Sequence, residues 1–346
     1  MMSHVEVGAA LVGVGRIGKV HLRNLVDISE FRIRWLVDVV ESHEEISELV
    51  RKYRLNDEAK VTTPEDLDRV MDDSRVKVVI VCTPTIYHEH VIMKALKAGK
   101  HVFCEKPLAL TLESVKNCYA EATRQRKILF CAVNRRFDSQ FRQIRDDLLI
   151  GKYGSLRVIK MTSHDLGQPV QYLKHSTGGI FLDMGIHDID YVCWLAGEKP
   201  NSLMATVTRS SEKAETYKSL GEYDSASAIL TFPSGVIGQL EMSRESGYGY
   251  SQTVEVFGTK MIAKSKDMMA TKVECSCAES GTNIGKLNDS YVTRYLQSFH
   301  TEMEHFLDVV KGKAICDVTP EGYIIASEIS EMLMKSALTG EVLKLG

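Results

Sequence analysis

Three short segments carry side chains able to move protons, oppose charge or hold a phosphate. The first is Glu105-Lys106-Pro107, which closes the apolar run KHVFCEKP. A lysine at the carboxyl end of a strand can set a positive charge beside a substrate oxygen and stabilise it by charge and hydrogen bonding; an ordinary lysine there would simply be solvated. The second, GGIFLDMGIHDID, places Asp183 and His187 four residues apart. In a continuous helix that spacing puts both on one face. An imidazole beside a carboxylate suits proton transfer near neutral pH, while helical histidines also serve as structural hydrogen-bonding groups. Gly185, between them, costs about 1 kcal/mol relative to alanine in a helix interior, so the position needs the space.

The third segment is Gly13-x-Gly15-x-x-Gly18, which follows an apolar strand and opens a helix, with Asp38 at the end of the next strand. Gly13 would permit a tight turn, Gly15 the approach of a pyrophosphate, and Gly18 close packing of helix on strand. The helix N-terminus adds amide donors and partial positive charge. Asp38 would accept hydrogen bonds from the adenosine ribose and repel a 2'-phosphate, which favours NAD over NADP. The alternative is a carboxylate that only caps a strand-end loop.

Other polar residues are less suggestive. His88 and His90 are two apart, His300 and His305 five apart, and Cys275-x-Cys277 lacks a second ligand pair. None suits a metal site, so metal-independent chemistry is expected. Cys82, Cys104 and Cys131 sit in apolar strand-like runs, where free cysteine behaves as a small hydrophobe.

The elements that must position these groups fall into two parts. With 346 residues, two domains are expected, at 1–132 and 133–346. The first alternates short apolar runs (VGAALVGV, FRIRWLVDV, VKVVIVCTP, KHVFCEKP, KILFCAVN) with amphipathic helices such as Tyr87–Ala98 and Thr111–Gln125. That alternation implies a parallel, doubly wound sheet. In the second, a helix to Ile150 and a strand at Leu156–Ser163 precede a helix running from Gly179 to about Leu195. SASAILTF and VIGQLEMS around a Pro-Ser-Gly turn read as an antiparallel hairpin, and TVEVFGTKMIAKS continues the sheet. The end is helical, over Tyr291–Val310 and Glu321–Leu338, with a break at Pro320. The fold class is therefore α/β: an N-terminal Rossmann domain, then an α/β domain with a large, mainly antiparallel open sheet.

Composition removes several partners. Lys plus Arg number 43 against 46 Asp plus Glu, without the basic excess of a nucleic-acid protein. No run reaches the roughly 18 apolar residues of a membrane span, and the N-terminus leaves no room for a signal peptide. A cytoplasmic protein acting on a small molecule is expected.

Taken together, AALVGVGRIG, Asp38, CTPTIYHEH, CEKPLALT and GGIFLDMGIHDID resemble the Gfo/Idh/MocA (glucose-fructose oxidoreductase/inositol dehydrogenase) family over nearly the whole chain. NRRFD at 134–138, SHDLGQPVQYLKHSTGGIF at 163–181 and YGYSQTVEVFGTK at 248–260 are most similar to its inositol 2-dehydrogenase branch. The resemblance implies a catalytic trio of Lys106, Asp183 and His187, and a polyol pocket with Asp165 and Tyr250. It implies NAD binding by Gly13, Gly15, Arg16, Ile17, Gly18, Asp38, Thr83, Pro84, His88, Glu105 and Lys106, and a homo-oligomer, dimer or tetramer. The activity implied is NAD-dependent oxidation of a secondary hydroxyl of a cyclic polyol or sugar. An NAD-dependent glycosidase or a non-catalytic dinucleotide-binding regulator are the alternatives. The chain departs from the family pattern at His164, where arginine is usual, and around Phe299, where a tyrosine is.

Overall fold

Val7–Val12 offers nothing that can face water, and in the computed structural model it is β1, a fully buried strand inside a six-stranded sheet. Residues 6–55, 59–167, 173, 178–271, 273–279 and 281–345 are described. After β1 come α1 (Arg16–Asp27), β2 (Phe31–Val37), α2 (His43–Lys52), β3 (Lys60–Thr62), α3 (Leu67–Asp72) and β4 (Val76–Val81). Then follow α4 (His88–Lys97), β5 (His101–Glu105), α5 (Leu112–Gln125), β6 (Leu129–Ala132), α6 (Ser139–Leu149) and β7 (Leu156–His164). Next are α7 (Ile180–Asp183), α8 (Ile186–Ala196), β8 (Ser202–Thr208), α9 (Ala214–Ser219), β9 (Ser225–Thr231) and β10 (Ile237–Ser243). The remainder is β11 (Ser251–Gly258), β12 (Ile262–Lys264), β13 (Glu274–Cys277), β14 (Gly281–Ile284), α10 (Tyr291–Arg294), α11 (Leu296–Val310), α12 (Pro320–Thr339) and β15 (Leu343–Lys344).

One unit comprises Met1–Asn134 and Gln297–Pro320. Its strands run β3-β2-β1-β4-β5-β6, every neighbouring pair parallel, which is the doubly wound Rossmann order. A parallel sheet is covered on both faces, hence the apolar runs read from sequence. Only β3, three residues long, is too short to leave such a trace. Thr111 caps α5 as expected, its hydroxyl accepting from the Ser114 amide at 3.1 Å. The chain leaves this unit after Asn134 and comes back with α11, a return that no local feature of sequence announces. Phe306 of α11 packs edge-on to Phe103 at 5.5 Å and to Phe130 at 5.8 Å.

The other unit comprises Arg135–Leu296 and Glu321–Gly346. Its sheet runs β12-β11-β7-β10-β9-β8-β15; β7 and β10 are parallel, the other neighbours antiparallel. The expected hairpin is β9–β10, with Ile237 opposite Thr231. Burial alternates along its strands: Leu203, Ala228, Leu230 and Leu240 are buried, while Met204, Ile229 and Ile237 face outward. Pro320 begins α12 rather than interrupting the chain, because the first helical position needs no N–H partner.

The helix expected from Gly179 to Leu195 is broken. Met184 and Gly185 both direct their N–H groups at the Ile180 carbonyl, at 3.0 and 2.9 Å, which closes α7; α8 starts anew at Ile186. A Cβ on Gly185 would lie 2.8 Å from Met242 Sδ and 2.9 Å from the Phe181 carbonyl oxygen, so the glycine makes room for β10 and for the turn itself. Asp183 and His187 thus belong to different helices and do not stack as neighbours on one.

Buried charges lock α8 in place. Arg136 forks onto Asp190 at 2.8 and 2.6 Å, and Arg135 meets Asp188, Gln252 and, at 3.1 Å, Ser163. Arg294 reaches Asp138 at 2.6 Å. Two stretches of the resembling pattern, NRRFD and HDID, are therefore each other's counter-charges. Breaking such a pair costs about 3–5 kcal/mol, because the partner is left charged and dry.

One acid on α11 has no such partner. Glu302 is fully buried, and neither carboxyl oxygen has a hydrogen-bond partner among the described residues. Burial, with Glu105 adding like charge, holds its carboxyl well above the ordinary 4.5, so it stays protonated. A raised folded-state value stabilises the fold at low pH; that contribution is lost as pH climbs above 4.5, by up to about 1.4 kcal/mol per unit. Glu302→Gln should therefore melt progressively higher than the parent between about pH 5 and pH 8. A pH-independent difference in melting temperature would show that the carboxyl is ionised.

Candidate active site

The glycine turn is shaped by contact. Gly13 has φ +91°, and a Cβ there would lie 2.6 Å from the Cys82 carbonyl group. A Cβ on Gly18 would lie 2.1 Å from the Gly13 carbonyl oxygen, so α1 rests directly on the turn. Gly15 meets nothing within 4 Å and starts α1 without a side-chain cap. The helix therefore presents its first amides where an anion can approach. Arg16 is exposed beside it and Ile17 half-buried.

Asp38, at the end of β2, accepts hydrogen bonds from the Val14 amide at 2.6 Å and the Val39 amide at 2.7 Å. It does cap the loop. A carboxylate has about four acceptor sites, so these two bonds fix its direction and leave capacity for sugar hydroxyls. Thr83 and Pro84 follow β4, and the Thr83 hydroxyl is buried without a partner among the described residues. An open glycine, an uncapped helix start, an anchored acid and an unmet hydroxyl on one sheet edge fit a dinucleotide.

Glu105 and Lys106 end β5 on the same edge. Glu105 Oε1 lies 2.6 Å from His21 Nε2, and Oε2 accepts from the Lys106 amide at 3.1 Å. Lys106 itself is half-buried. His88 is 1% exposed, and its ring nitrogens lie 2.8 Å from the Pro107 carbonyl oxygen and 2.7 Å from that of Thr83. Its ring is thus engaged with the backbone of two loops at this edge.

In the other unit, Asp183 is buried and accepts from Arg244 at 2.6 Å; Arg244 also lies 3.6 Å from Glu222. His187, half-buried, sits in the first turn of α8. Asp165 follows β7 and accepts from Gln252 at 3.4 Å. Tyr250 is buried; desolvation, with Asp165 nearby, drives its phenol well above 10, so the hydroxyl keeps its proton as a donor. Asp165 and Tyr250 are thereby brought together.

Arg244, Arg135, Gln252 and His21 were not singled out from sequence. Arg135 and Arg244 sit in polar stretches, NRRFD and EMSRESG, so nothing local marked them as buried. Among the described residues there is no group of three His, Cys, Asp or Glu side chains that could hold a metal ion.

Residues 7–133 match the model of the Gfo/Idh/MocA oxidoreductase family, NAD-binding Rossmann fold, and residues 141–264 match that family's C-terminal domain. The chain is 34% identical over 319 residues to the inositol 2-dehydrogenase of Rhizobium meliloti (strain 1021), covering 92% of each chain. It is 34% identical over 303 residues to the myo-inositol 2-dehydrogenase of Thermotoga maritima, covering 87% of each. A myo-inositol dehydrogenase structure from Corynebacterium glutamicum superposes with a TM-score of 0.89 at 25% identity, over 99% of both chains.

Because Asp38 is held by two amides, its removal has two effects. Replacing it with Ser while placing Arg at Val39 should weaken NAD, both by losing a sugar acceptor and by loosening the Val14 turn, and should admit NADP. Titration with each dinucleotide tests this; unchanged NAD preference would remove Asp38 from the sugar site.

Proposed function

The chain belongs to the Gfo/Idh/MocA family of oxidoreductases, and from that footing we propose that it oxidises a secondary hydroxyl of a cyclic polyol, myo-inositol to 2-keto-myo-inositol, with NAD as acceptor. The reading is carried by one observation: relatives at 34% identity over 92% and 87% of this chain are named for that reaction. Lys106, Asp183 and His187 are read as its catalytic groups, on the resemblance of CEKPLALT and GGIFLDMGIHDID to the family pattern.

NAD would be held by Gly13, Gly15, Gly18, Asp38 and Thr83, and when bound it supplies the hydride acceptor. The side chains manage the rest. His187 takes the hydroxyl proton. Lys106 sets its ammonium against the charge that develops on oxygen. Asp183, kept in place by Arg244, orients the imidazole or a neighbouring hydroxyl. Asp165 and Tyr250 fix which carbon is presented, since a site built to pair hydroxyls rejects analogues that lack them.

The region 133–346 is read as the substrate-binding and oligomerisation part. Outward-facing Met204, Ile229 and Ile237 support a homo-oligomer. No described helix is long and apolar enough to cross a membrane, and a cytoplasmic setting belongs to this reading.

A screen for NADH formation with myo-inositol, scyllo-inositol, D-glucose, D-xylose and several glycosides tests it. An inositol should give the highest kcat/KM, with net NADH. Glycoside cleavage without NADH, or no turnover at all, would overturn the assignment. His187→Ala and Lys106→Ala should each lower kcat by about 10²- to 10⁴-fold while NAD still binds.

A further inference from the structure

His88 opens α4, and its ring faces two backbone carbonyls at once: Nδ1 that of Pro107 at 2.8 Å and Nε2 that of Thr83 at 2.7 Å. A carbonyl oxygen only accepts, and a neutral imidazole carries one N–H. Both contacts can be hydrogen bonds together only if the ring is charged. Burial opposes this, pushing the ring below its ordinary 6.5, while the two carbonyls and Glu105 favour the charge and Lys106 resists it. Both nitrogens lie at hydrogen-bond distance from an oxygen that can only accept, which is the arrangement of a ring that donates at both edges. The acceptors belong to different loops: Pro107 adjoins Lys106, and the backbone of Cys82 and Thr83 packs against Gly13 of the glycine turn.

We propose that His88 is a positioning residue with two separable donating edges: Nδ1 sets Lys106 through the Pro107 carbonyl, and Nε2 sets the Thr83–Pro84 turn on the dinucleotide side. Lys106 is then steadied from both neighbours, since Glu105 is tied to His21 of α1 at 2.6 Å. The inference rests on Lys106 being the charge-stabilising lysine of the proposed reaction.

Amide substitutions separate the edges. The nitrogen of an asparagine reaches where Nδ1 lies and that of a glutamine where Nε2 lies, whereas phenylalanine keeps the ring and donates nothing. His88→Asn should retain kcat near the parent's but bind NAD more weakly in a titration without substrate. His88→Gln should bind NAD normally and lose roughly 10- to 100-fold in kcat, the scale of a small misplacement of a reacting group. His88→Phe should lose both. Asn and Gln variants that behave alike, or in the reverse order, would overturn the proposal. Should the variants fail to fold, imidazole nitrogen NMR of the parent decides: a ring protonated at both nitrogens is expected, and a ring protonated at one nitrogen only overturns it. Lys106→Ala keeps the two failures apart. If it turns over like the parent, the reading of Lys106 falls; if it is inactive while all His88 variants are normal, only the role of His88 does.

Discussion

Arg244, buried between Asp183 at 2.6 Å and Glu222 at 3.6 Å, is the contact that fixes the acid at the end of α7. A carboxylate as enclosed as Asp183 stays charged only beside an opposite charge. With the guanidinium in place, it is an anion of fixed direction at the end of α7. The same requirement recurs along the next helix, where Arg135 and Arg136 answer Asp188 and Asp190. The start of α8, and with it His187, is thus set by side chains far away in sequence. Functional geometry here is a by-product of charge that cannot reach water.

The first unit solves its own version with fewer full charges. Beneath the end of β5 lie Glu105 with His21, a protonated Glu302, and His88 between two carbonyls. Glu302 keeps its proton because it is buried beside Glu105. An array of this kind holds the Lys106 backbone in one place.

The Rossmann half was legible because its signals are local. Gly18 and Asp38 satisfy constraints set within one crossover, and the Thr111 cap lies three residues from the amide it accepts. The hairpin of β9 and β10 was legible for the same reason. Three features were not. Asp183 and His187 have helical spacing, but the chain breaks between them at Gly185, which packs against Met242 of β10, a neighbour that no pattern within residues 178–195 contains. Arg244 finds Asp183 across 61 residues. The three residues of β3 cannot show a period. Local propensity carried the elements, whereas the site depends on pairings between elements.

The return of α11 to the first unit bears on how the chain is made. Phe306 closes a ring cluster with Phe103 and Phe130, and Lys311 pairs with Glu30. None of this can form until the ribosome has passed residue 310. At about 5–20 residues per second, the nascent Rossmann sheet waits roughly 10–40 s with the apolar face of Phe103 and Phe130 uncovered. The part of the protein synthesised first is therefore among the last to be completed, and its open flank is the natural client surface for a chaperone during that interval.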